Sequence, residues 1–429
     1  MKTNTRSLKN CLKLLLPFVI LFSFLGCDKM DVKESYVLKI PIYKTLGDVR
    51  ASTIKMSVPQ QIENSGKIYL YKDYLFINEP NVGIHIFDNA NPATPKSLGF
   101  IPIVGNFDLG IQNDLLYADN IVDLITFDIS NISNPVLVNR QKDVFSVKYK
   151  TETGERFYLL DTDKVPVAYR DSLVHTQNER EYRPNDEELV YYENSSGGNY
   201  YNSGSNTVGQ AGSLARFAIS GNVLFAIYRN LVKNFDLKNP SAPKFLNEVN
   251  LGFGIETLFP YKNTLFVGAV NGMHILDITN PLNPVNLSTY THVVACDPVV
   301  VNDDYAFVTL RTGTTCGGKQ NLLEVVDIKD LKNPKQIKLY EMKNPHGLSL
   351  AGEYLYVSEG NFGLKSFKVS DVNAIDKNLI QHLDKIKSSD IIAGPKSLIV
   401  MGPESICQFD YSNKANLKQL SCISLNKNN

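Results

Sequence analysis

The sequence predicts an all-β fold, a single seven-bladed β-propeller with four-stranded antiparallel blades and one long loop insertion. Three observations predict it. A short phrase, an apolar residue followed by Asp and then an Asn/Pro-rich turn, occurs seven times, with degenerate copies at Phe367-Lys368 and Phe409-Asp410. The intervals are mostly roughly 41 residues, the period of propeller blades. Each repeat holds four strand-like runs in which Tyr, Phe and Val are frequent. With 43% hydrophobic and 21% charged residues, the composition is that of a globular chain with a large core.

The chain begins with an export signal rather than with a part of the fold. Basic residues precede an apolar run from Leu14 to Leu25, which is shorter than the ~20 residues that a membrane-spanning helix needs. The run ends in Gly26-Cys27, which resembles the lipobox of bacterial lipoproteins. We expect residues 1–26 to be a lipoprotein signal peptide and Cys27 to be acylated; the alternative is ordinary signal cleavage that leaves Cys27 as a thiol.

A tether and the first repeat follow. Residues 27–65 lack the repeat period and are expected to form a lipidated N-terminal tether, in which Tyr36 to Tyr43 could add a strand. The propeller is expected over residues 66–425. In the first repeat, the four strand-like runs end at Tyr71, Asn78, Asp88 and Ile103.

The repeated phrase ends the third strand of each blade. Asp at such a turn accepts hydrogen bonds from backbone amides two residues on, and the Pro that follows presets φ. We therefore interpret the Asp residues as architectural. The seven anchors are Phe87-Asp88, Phe127-Asp128, Phe235-Asp236, Leu276-Asp277, Val326-Asp327, Phe367-Lys368 and Phe409-Asp410.

An insertion at residues 142–212 separates the second and third repeats. It contains no anchor, and residues 191–212 are rich in Asn, Ser, Gly and Tyr, which is typical of a loop. A degenerate eighth blade is the alternative. Because the insertion lies at a blade-to-blade crossover, we expect it to cover the face that carries these crossovers as a partial lid.

Two groups of segments resemble a known family. The third strands Gly83–Asp88 and Gly272–Asp277, with their Asn-Pro turns, resemble the LVIVD repeat of bacterial surface β-propellers. Asn344–Leu348 and Cys296–Val299 also resemble stretches of LVIVD-repeat lipoproteins of Bacteroidetes. The resemblance implies a lipid-anchored protein of the cell envelope, at the outer membrane and either periplasmic or surface-exposed. It supplies no catalytic residues.

The cysteine count suits an exported protein. If Cys11 leaves with the signal and Cys27 is acylated, an even number remains, which favours disulfides. The remaining cysteines are Cys296, Cys316, Cys407 and Cys422. Placement in the blades favours the pairs 296–316 and 407–422, because the other pairings join different blades beyond the ~7 Å limit on Cα separation.

Candidate functional residues lie in the loops of the crossover face, because propeller loops carry function and blade interiors carry packing. Asp297, Arg311 and His346 could converge on an anion or a carbonyl group and are the candidate catalytic residues. The chain contains no Ca²⁺-binding loop motif, so we expect no metal at Asp119 and Asp123. The binding-face candidates are Glu79, Asp119, Asn120, Asp123, Arg229, Glu359 and Asn361.

Charge and motifs exclude several classes of function. Outside the first 26 residues the chain has four more acidic than basic residues, so it offers no footprint for nucleic acid. There is no G-x-S-x-G, P-loop, HExxH or Rossmann glycine pattern, and the absence of Trp disfavours quinone-binding propellers; we expect no cofactor. The favoured hypothesis is a non-catalytic binding or scaffold propeller, attached to the membrane by its lipid, whose partner is another envelope protein or a glycan. The alternative is a propeller hydrolase or lyase that uses Asp297, Arg311 and His346.

Overall fold

The computed structural model of the chain describes residues 35–146, 148–151, 154–157, 164–175, 208, 210–213, 215–252, 254–291, 298–312 and 320–425. The predicted signal peptide and Cys27 lie outside these residues. The chain divides into two compact units, Met1–Ile42 with Ala168–Val190, and Tyr43–Val167 with Tyr191–Asn429. No helix of the described part is long and apolar enough to cross a membrane.

The large unit confirms the predicted all-β fold. Seven four-stranded antiparallel sheets stand in a ring, with the first strand of each sheet at the centre and the fourth at the periphery. Blade 1 comprises Ile68–Tyr71, Tyr74–Glu79, Gly83–Asp88 and Lys96–Pro102. Blade 2 comprises Leu109–Gln112, Leu115–Asn120, Asp123–Asp128 and Val136–Gln141. Blade 3 comprises Phe217–Ser220, Val223–Tyr228, Leu231–Asp236 and Lys244–Asn250.

The remaining blades repeat this pattern. Blade 4 comprises Ile255–Tyr261, Thr264–Ala269, Gly272–Asp277 and Val285–Thr291. Blade 5 comprises Val299–Val301, Tyr305–Leu310, Leu322–Asp327 and Lys335–Glu341. Blade 6 comprises Leu348–Ala351, Tyr354–Ser358, Leu364–Lys368 and Leu379–Leu383, with the 3₁₀ helix Ile375–Asn378 before its last strand. Blade 7 comprises Asp390–Ala393, Leu398–Met401, Ser405–Asp410 and Lys418–Ser424.

The cores lie between neighbouring blades. Six of the seven second strands carry an aromatic side chain that is fully buried, because a blade sheet must cover both of its faces with its neighbours. These residues are Phe76, Tyr117, Phe225, Phe266, Phe307 and Tyr356.

The repeated Asp phrase fixes the turn between the third and fourth strands, as its chemistry predicts. In six blades the anchor Asp accepts a hydrogen bond from the amide two residues on, as Asp88 does from Ala90 at 2.9 Å. In blade 6 the anchor is Lys368, and Asp371 in the same turn accepts from Asn373 instead. All seven blades also have a β-bulge at the anchor, which bends the fourth strand.

The segment before blade 1 packs on the propeller. A short helix, Leu46–Ala51, begins with a capping box in which Thr45 and Asp48 exchange hydrogen bonds. Beyond it, Ser57 pairs with Phe100 of blade 1, and Ile62 is buried in the core between blades 1 and 7. Residues 46–65 therefore belong to the unit that contains the propeller.

The ring closes where blade 7 meets blade 1, and each of these two blades is complete in itself. The seam is held by apolar packing and by a reciprocal amide pair between Asn89 and Gln408. Cys407 and Cys422 stand directly opposite each other in blade 7 and form a disulfide, as expected from their placement. The other expected pair, Cys296 with Cys316, lies outside the described residues.

The described parts of the insertion do not form an eighth blade. Lys148–Thr151 pairs with Gly154–Phe157, and Lys164–His175 pairs with Ser35–Thr45 in a two-stranded sheet. The end of the insertion enters the ring. Gln210–Ala211 pairs with the first strand of blade 1 as a fifth, innermost strand.

The predicted lid falls mainly on residues 176–207, which lie outside the described residues, whereas the channel strand at the end of the insertion runs inside the ring. Val208 bridges to Gln112 at the far end of the first strand of blade 2, whereas Ser213 meets Leu348 at the crossover end of blade 6. The segment therefore runs along the central channel toward the crossover face. The physical reason is the free inner edge of blade 1, whose unpaired backbone groups gain hydrogen bonds from an added strand.

Candidate binding site at the channel mouth

The crossover face carries the turns between second and third strands and the connections that enter each first strand. The channel mouth, defined here as the side chains around the central channel on this face, is surrounded by the beginnings of seven first strands. Ala211 of the channel strand and Ser213, two residues beyond it, are 2% and 1% exposed and lie inside the channel beneath the mouth. The channel strand therefore occupies part of the channel at this face.

Three of the predicted binding-face residues hold the crossover loops. Glu79 accepts hydrogen bonds from the amides of Glu63 and Asn64, and it also contacts the His85 ring at 2.7 Å. Asp119 accepts from the amides of Phe107 and Asp108 at 2.8 and 3.1 Å.

Glu359 repeats this arrangement in blade 6. It accepts from the Lys343 amide at 2.7 Å and forms an ion pair with Lys365 at 2.5 Å. An acidic residue at or directly after the end of a second strand thus binds the chain that enters the first strand of the same blade. Glu79, Asp119 and Glu359 therefore have structural partners in this fold.

Asp123 fixes the N-terminal helix to blade 2. Arg50 donates to both of its carboxylate oxygens, from Nε at 2.8 Å and from Nη2 at 2.6 Å, and Arg140 donates to Oδ2 at 2.8 Å. Burial alone would raise the pKa of Asp123, but hydrogen bonds from Arg50, the Asp143 amide and Arg140 hold it below its usual value. Asp123 is fully buried and is not part of a solvated rim.

The other rim candidates are dispersed. Asn120 donates to the Val104 carbonyl and accepts from Arg140, so it belongs to the same network as Asp123. Arg229 has a φ of 57° in the turn of blade 3 and stacks over the Tyr228 ring. Asn361 is exposed in the turn of blade 6. These side chains do not form one site with each other.

Arg311 and His346 come together at the mouth. Thr309, two residues before Arg311, donates its hydroxyl to the His346 carbonyl at 2.5 Å, which joins blades 5 and 6. Burial and, to a smaller extent, the positive charge of Arg311 together lower the pKa of His346 to about 3, so the imidazole is neutral. Asp297, the third predicted member, lies outside the described residues.

The mouth also contains charged residues that the sequence analysis did not single out. Each lies at the start of the first strand of its blade or one residue from it: Lys67 in blade 1, Asp108 in blade 2, Arg216 in blade 3, Glu256 in blade 4 and Asp390 in blade 7. Lys67 interacts electrostatically with the other four, and Glu256 with Arg216, Lys67 and Arg311. Around the ring, acidic and basic residues therefore alternate from blade 7 through blade 5, and blade 6 contributes the neutral His346.

The acidic residues of the mouth are held toward the protein interior. Asp108 is 2% exposed and accepts from the amides of Arg216 and Phe217 in the next blade, the latter at 3.1 Å. Asp390 is 0% exposed, and its carboxyl group interacts with the backbone amide of Ile391 and, electrostatically, with Lys67. Burial raises the pKa of both residues.

Burial also shifts three other groups toward neutrality. It raises the pKa of Asp119 to about 6 and that of Glu256 to about 7. It lowers the pKa of Lys67 to about 8, although Asp108 opposes the shift. Such a concentration of shifted groups in a concave region is typical of a functional site. No group of three or more His, Cys, Asp or Glu side chains in the described part of the chain is placed to hold a metal ion.

Two segments of the chain, residues 111–143 in blade 2 and 261–292 in blade 4, match the LVIVD repeat. This confirms the repeat part of the resemblance. Among curated proteins, none matches the sequence. Solved structures similar to the chain include the computationally designed Ika8 protein, at 9% identity and a TM-score of 0.49, with 87% of this chain and 92% of that chain covered.

Two natural proteins are similar to the same extent. Hsv2p of Kluyveromyces lactis is 10% identical with a TM-score of 0.47, and 86% of this chain and 99% of that chain are covered. BamB of Moraxella catarrhalis is 8% identical with a TM-score of 0.46, and 86% and 95% are covered. At these identities the likeness concerns the fold alone.

Proposed function

We propose that this chain is a lipid-anchored binding propeller of the bacterial cell envelope, of the LVIVD-repeat lipoprotein type. One observation carries the binding role: each of the seven blades places a charged or imidazole side chain at the channel mouth. Most other polar residues of the crossover face described above are engaged in structural contacts, so the mouth is the part of this face that is best suited to a partner. The partner is another envelope protein or a glycan.

The lipid anchor is supported by the first 27 residues, with their basic start, short apolar run and Gly26-Cys27. Mass spectrometry of the mature N-terminus should find an acylated Cys27, and Cys27→Ser should move the protein to the soluble fraction. Cys11→Ser, in the same segment, is the matched control and should leave the protein in the membrane fraction. A soluble wild-type protein with an unmodified N-terminus would contradict the anchor.

The binding role is tested at Arg311. Envelope extract and a glycan array are probed with the wild-type protein, Arg311→Gln and Arg229→Gln. We expect the wild-type protein to bind a partner that Arg311→Gln no longer binds. Arg229→Gln, which changes a residue in the turn of blade 3, should still bind this partner. A partner retained equally by all three proteins would place the binding surface elsewhere, and no partner at all would count against a binding propeller.

A propeller hydrolase or lyase is the second candidate, and one observation favours it. Glu256, with a pKa of about 7, and Lys67, with a pKa of about 8, lie close enough to interact, and such values suit general acid–base catalysis. Incubation of envelope glycans with wild type and Glu256→Gln tests it. Turnover by the wild type that Glu256→Gln abolishes would support an enzyme, and unchanged substrates would exclude it for these glycans.

A further inference from the structure

We propose that the inner edge of blade 1 is a binding site for an extended peptide with small side chains. The channel segment, defined here as residues 208 and 210–213, occupies this site as a built-in competitor, and an envelope partner presents a strand of the same kind in its place. The inference rests on the proposed binding function and names the chemistry of the partner. Neither the repeat pattern nor the resemblance indicates this chemistry.

The first argument is the type of contact that the channel segment makes with blade 1. Gln210 and Ala211 pair antiparallel with Leu70 and Tyr69, so the edge of the blade recognises backbone groups of an extended chain. Backbone pairing at a sheet edge is a common way in which proteins bind an extended peptide of a partner. In the described structure the other six blades have four strands each. The fifth strand is therefore an addition to the fold and not a part of the blade pattern.

The second argument is the room that the channel offers to a strand. Ala211 belongs to the apolar core between blades 1 and 2 and is 2% exposed, and Ser213 is 1% exposed. The same segment also reaches Gln112 of blade 2, Leu348 of blade 6 and Ala393 of blade 7. Because one extended segment already touches four blades, a partner strand has to replace it. Its buried side chains have to be as small as Ala and Ser, since protein interiors are closely packed.

The third argument is the weak attachment of the channel segment. Its ladder with blade 1 is only two residues long. Gln210 donates to the Ala393 carbonyl at 3.3 Å. Ser213 accepts from the Leu348 amide, also at 3.3 Å. Both distances are longer than those of most N–H···O hydrogen bonds, and an Ala side chain buries little apolar area. The segment therefore belongs to the part of the fold that opens at low cost.

The fourth argument is that the channel segment can leave while the ring stays intact. Two residues beyond it, the Ala215 carbonyl accepts from the Leu258 amide of blade 4 at 2.8 Å. The Arg216 carbonyl accepts from the Ile227 amide of blade 3, also at 2.8 Å. These bonds hold the chain where blade 3 begins, and each blade keeps its own four strands. Release of the segment therefore stops at Ala215 and exposes the inner edge of blade 1.

The test uses a fluorescein-labelled peptide with the sequence of residues 205–213, titrated with the full-length protein in a fluorescence polarisation assay. Ala211→Asp places a charge in the apolar core, which expels the channel segment and frees the edge. We expect this variant to bind the peptide at least about tenfold more tightly than the wild type, in which the built-in segment competes. Ala93→Asp, in the exposed turn of blade 1, is the matched control and should bind like the wild type.

A second peptide tests the size limit. It carries Phe at the position of Ala211 and should not bind Ala211→Asp, because the closely packed channel has no room for the ring. Circular dichroism and thermal melting establish that each variant is folded. A folded Ala211→Asp that binds neither peptide, or both peptides equally, would overturn the inference.

Hydrogen–deuterium exchange of the wild type is a check that does not depend on the folding of a variant. The channel segment should exchange at least about a hundredfold faster than the second strand of the same blade, Tyr74–Glu79, because it opens locally. Equal protection of the two would overturn the inference. If the wild type captures an envelope partner that the 205–213 peptide does not displace, the binding function stands and only the channel site is refuted.

Discussion

The seam between blades 7 and 1 makes a quantitative prediction for Gln408→Ala. Gln408 is 0% exposed; its Nε2 donates to Asn89 Oδ1 at 2.6 Å, and its Oε1 accepts from Asn89 at 3.1 Å and from Ser397 at 2.7 Å. Truncation to Ala removes these hydrogen bonds. It leaves two buried groups without partners, the side-chain amide of Asn89 and the hydroxyl of Ser397, whose residues are 4% and 2% exposed.

The expected cost follows from those orphaned groups. Each buried polar group that loses its partner costs about 1–3 kcal/mol, so the free energy of unfolding should fall by about 3 kcal/mol. Urea denaturation followed by circular dichroism measures it. Gln419→Ala is the control, because Gln419 is exposed on the neighbouring strand of the same blade and should change stability by less than about 0.5 kcal/mol.

A double variant checks the mechanism. Asn89→Ala combined with Gln408→Ala removes both members of the amide pair, so its cost should be smaller than the sum of the single costs by about 1 kcal/mol or more. Equal stability of Gln408→Ala and Gln419→Ala, or strict additivity in the double variant, would refute the idea that this pair closes the ring.

Three further predictions concern other parts of the molecule. Arg50→Ala should detach the segment from Leu46 to Asn64, because Asp123 loses its main partner. Limited proteolysis should then cleave this segment faster than in the control variant Lys55→Ala. Cys407→Ser should cost about 2–3 kcal/mol in urea unfolding, since the disulfide closes a loop with a sequence separation of 15. Folding raises the pKa of Glu256 from 4.5 to about 7, so the contribution of this residue to the free energy of unfolding falls as the pH rises from 4.5 to about 7. When the free energy of unfolding is measured by urea denaturation between pH 5 and 7, it should therefore depend less on pH in Glu256→Gln than in the wild type.

The blade architecture could be predicted because it depends on local chemistry that repeats. Each anchor Asp bonds an amide two residues away, so the turn is visible in a single short segment. The pairing of Cys407 with Cys422 could also be predicted, since both lie in one hairpin whose register places them opposite each other.

The roles of the crossover-face residues could not be predicted, because they depend on partners that are distant in the sequence. Asp123 is bound by Arg50, which lies in a short helix that no repeat pattern indicates. The channel strand is only two residues long, too short for a periodic signal. Lys67, Arg216 and Asp390 could have been found by aligning the repeats at their first strands, where each blade places a polar residue before or at the start of the apolar run.

The channel strand also bears on how this protein could change during evolution. Repeat proteins commonly gain or lose whole units, because each unit contacts only its neighbours. Here one segment touches blade 1 through Ala211, blade 2 through Val208, blade 6 through Ser213 and blade 7 through Gln210. An added or deleted blade would alter the width of the channel and break several of these contacts at once. The segment therefore ties the number of repeats to seven, and duplication of a blade should be tolerated only in a chain that has also lost this strand.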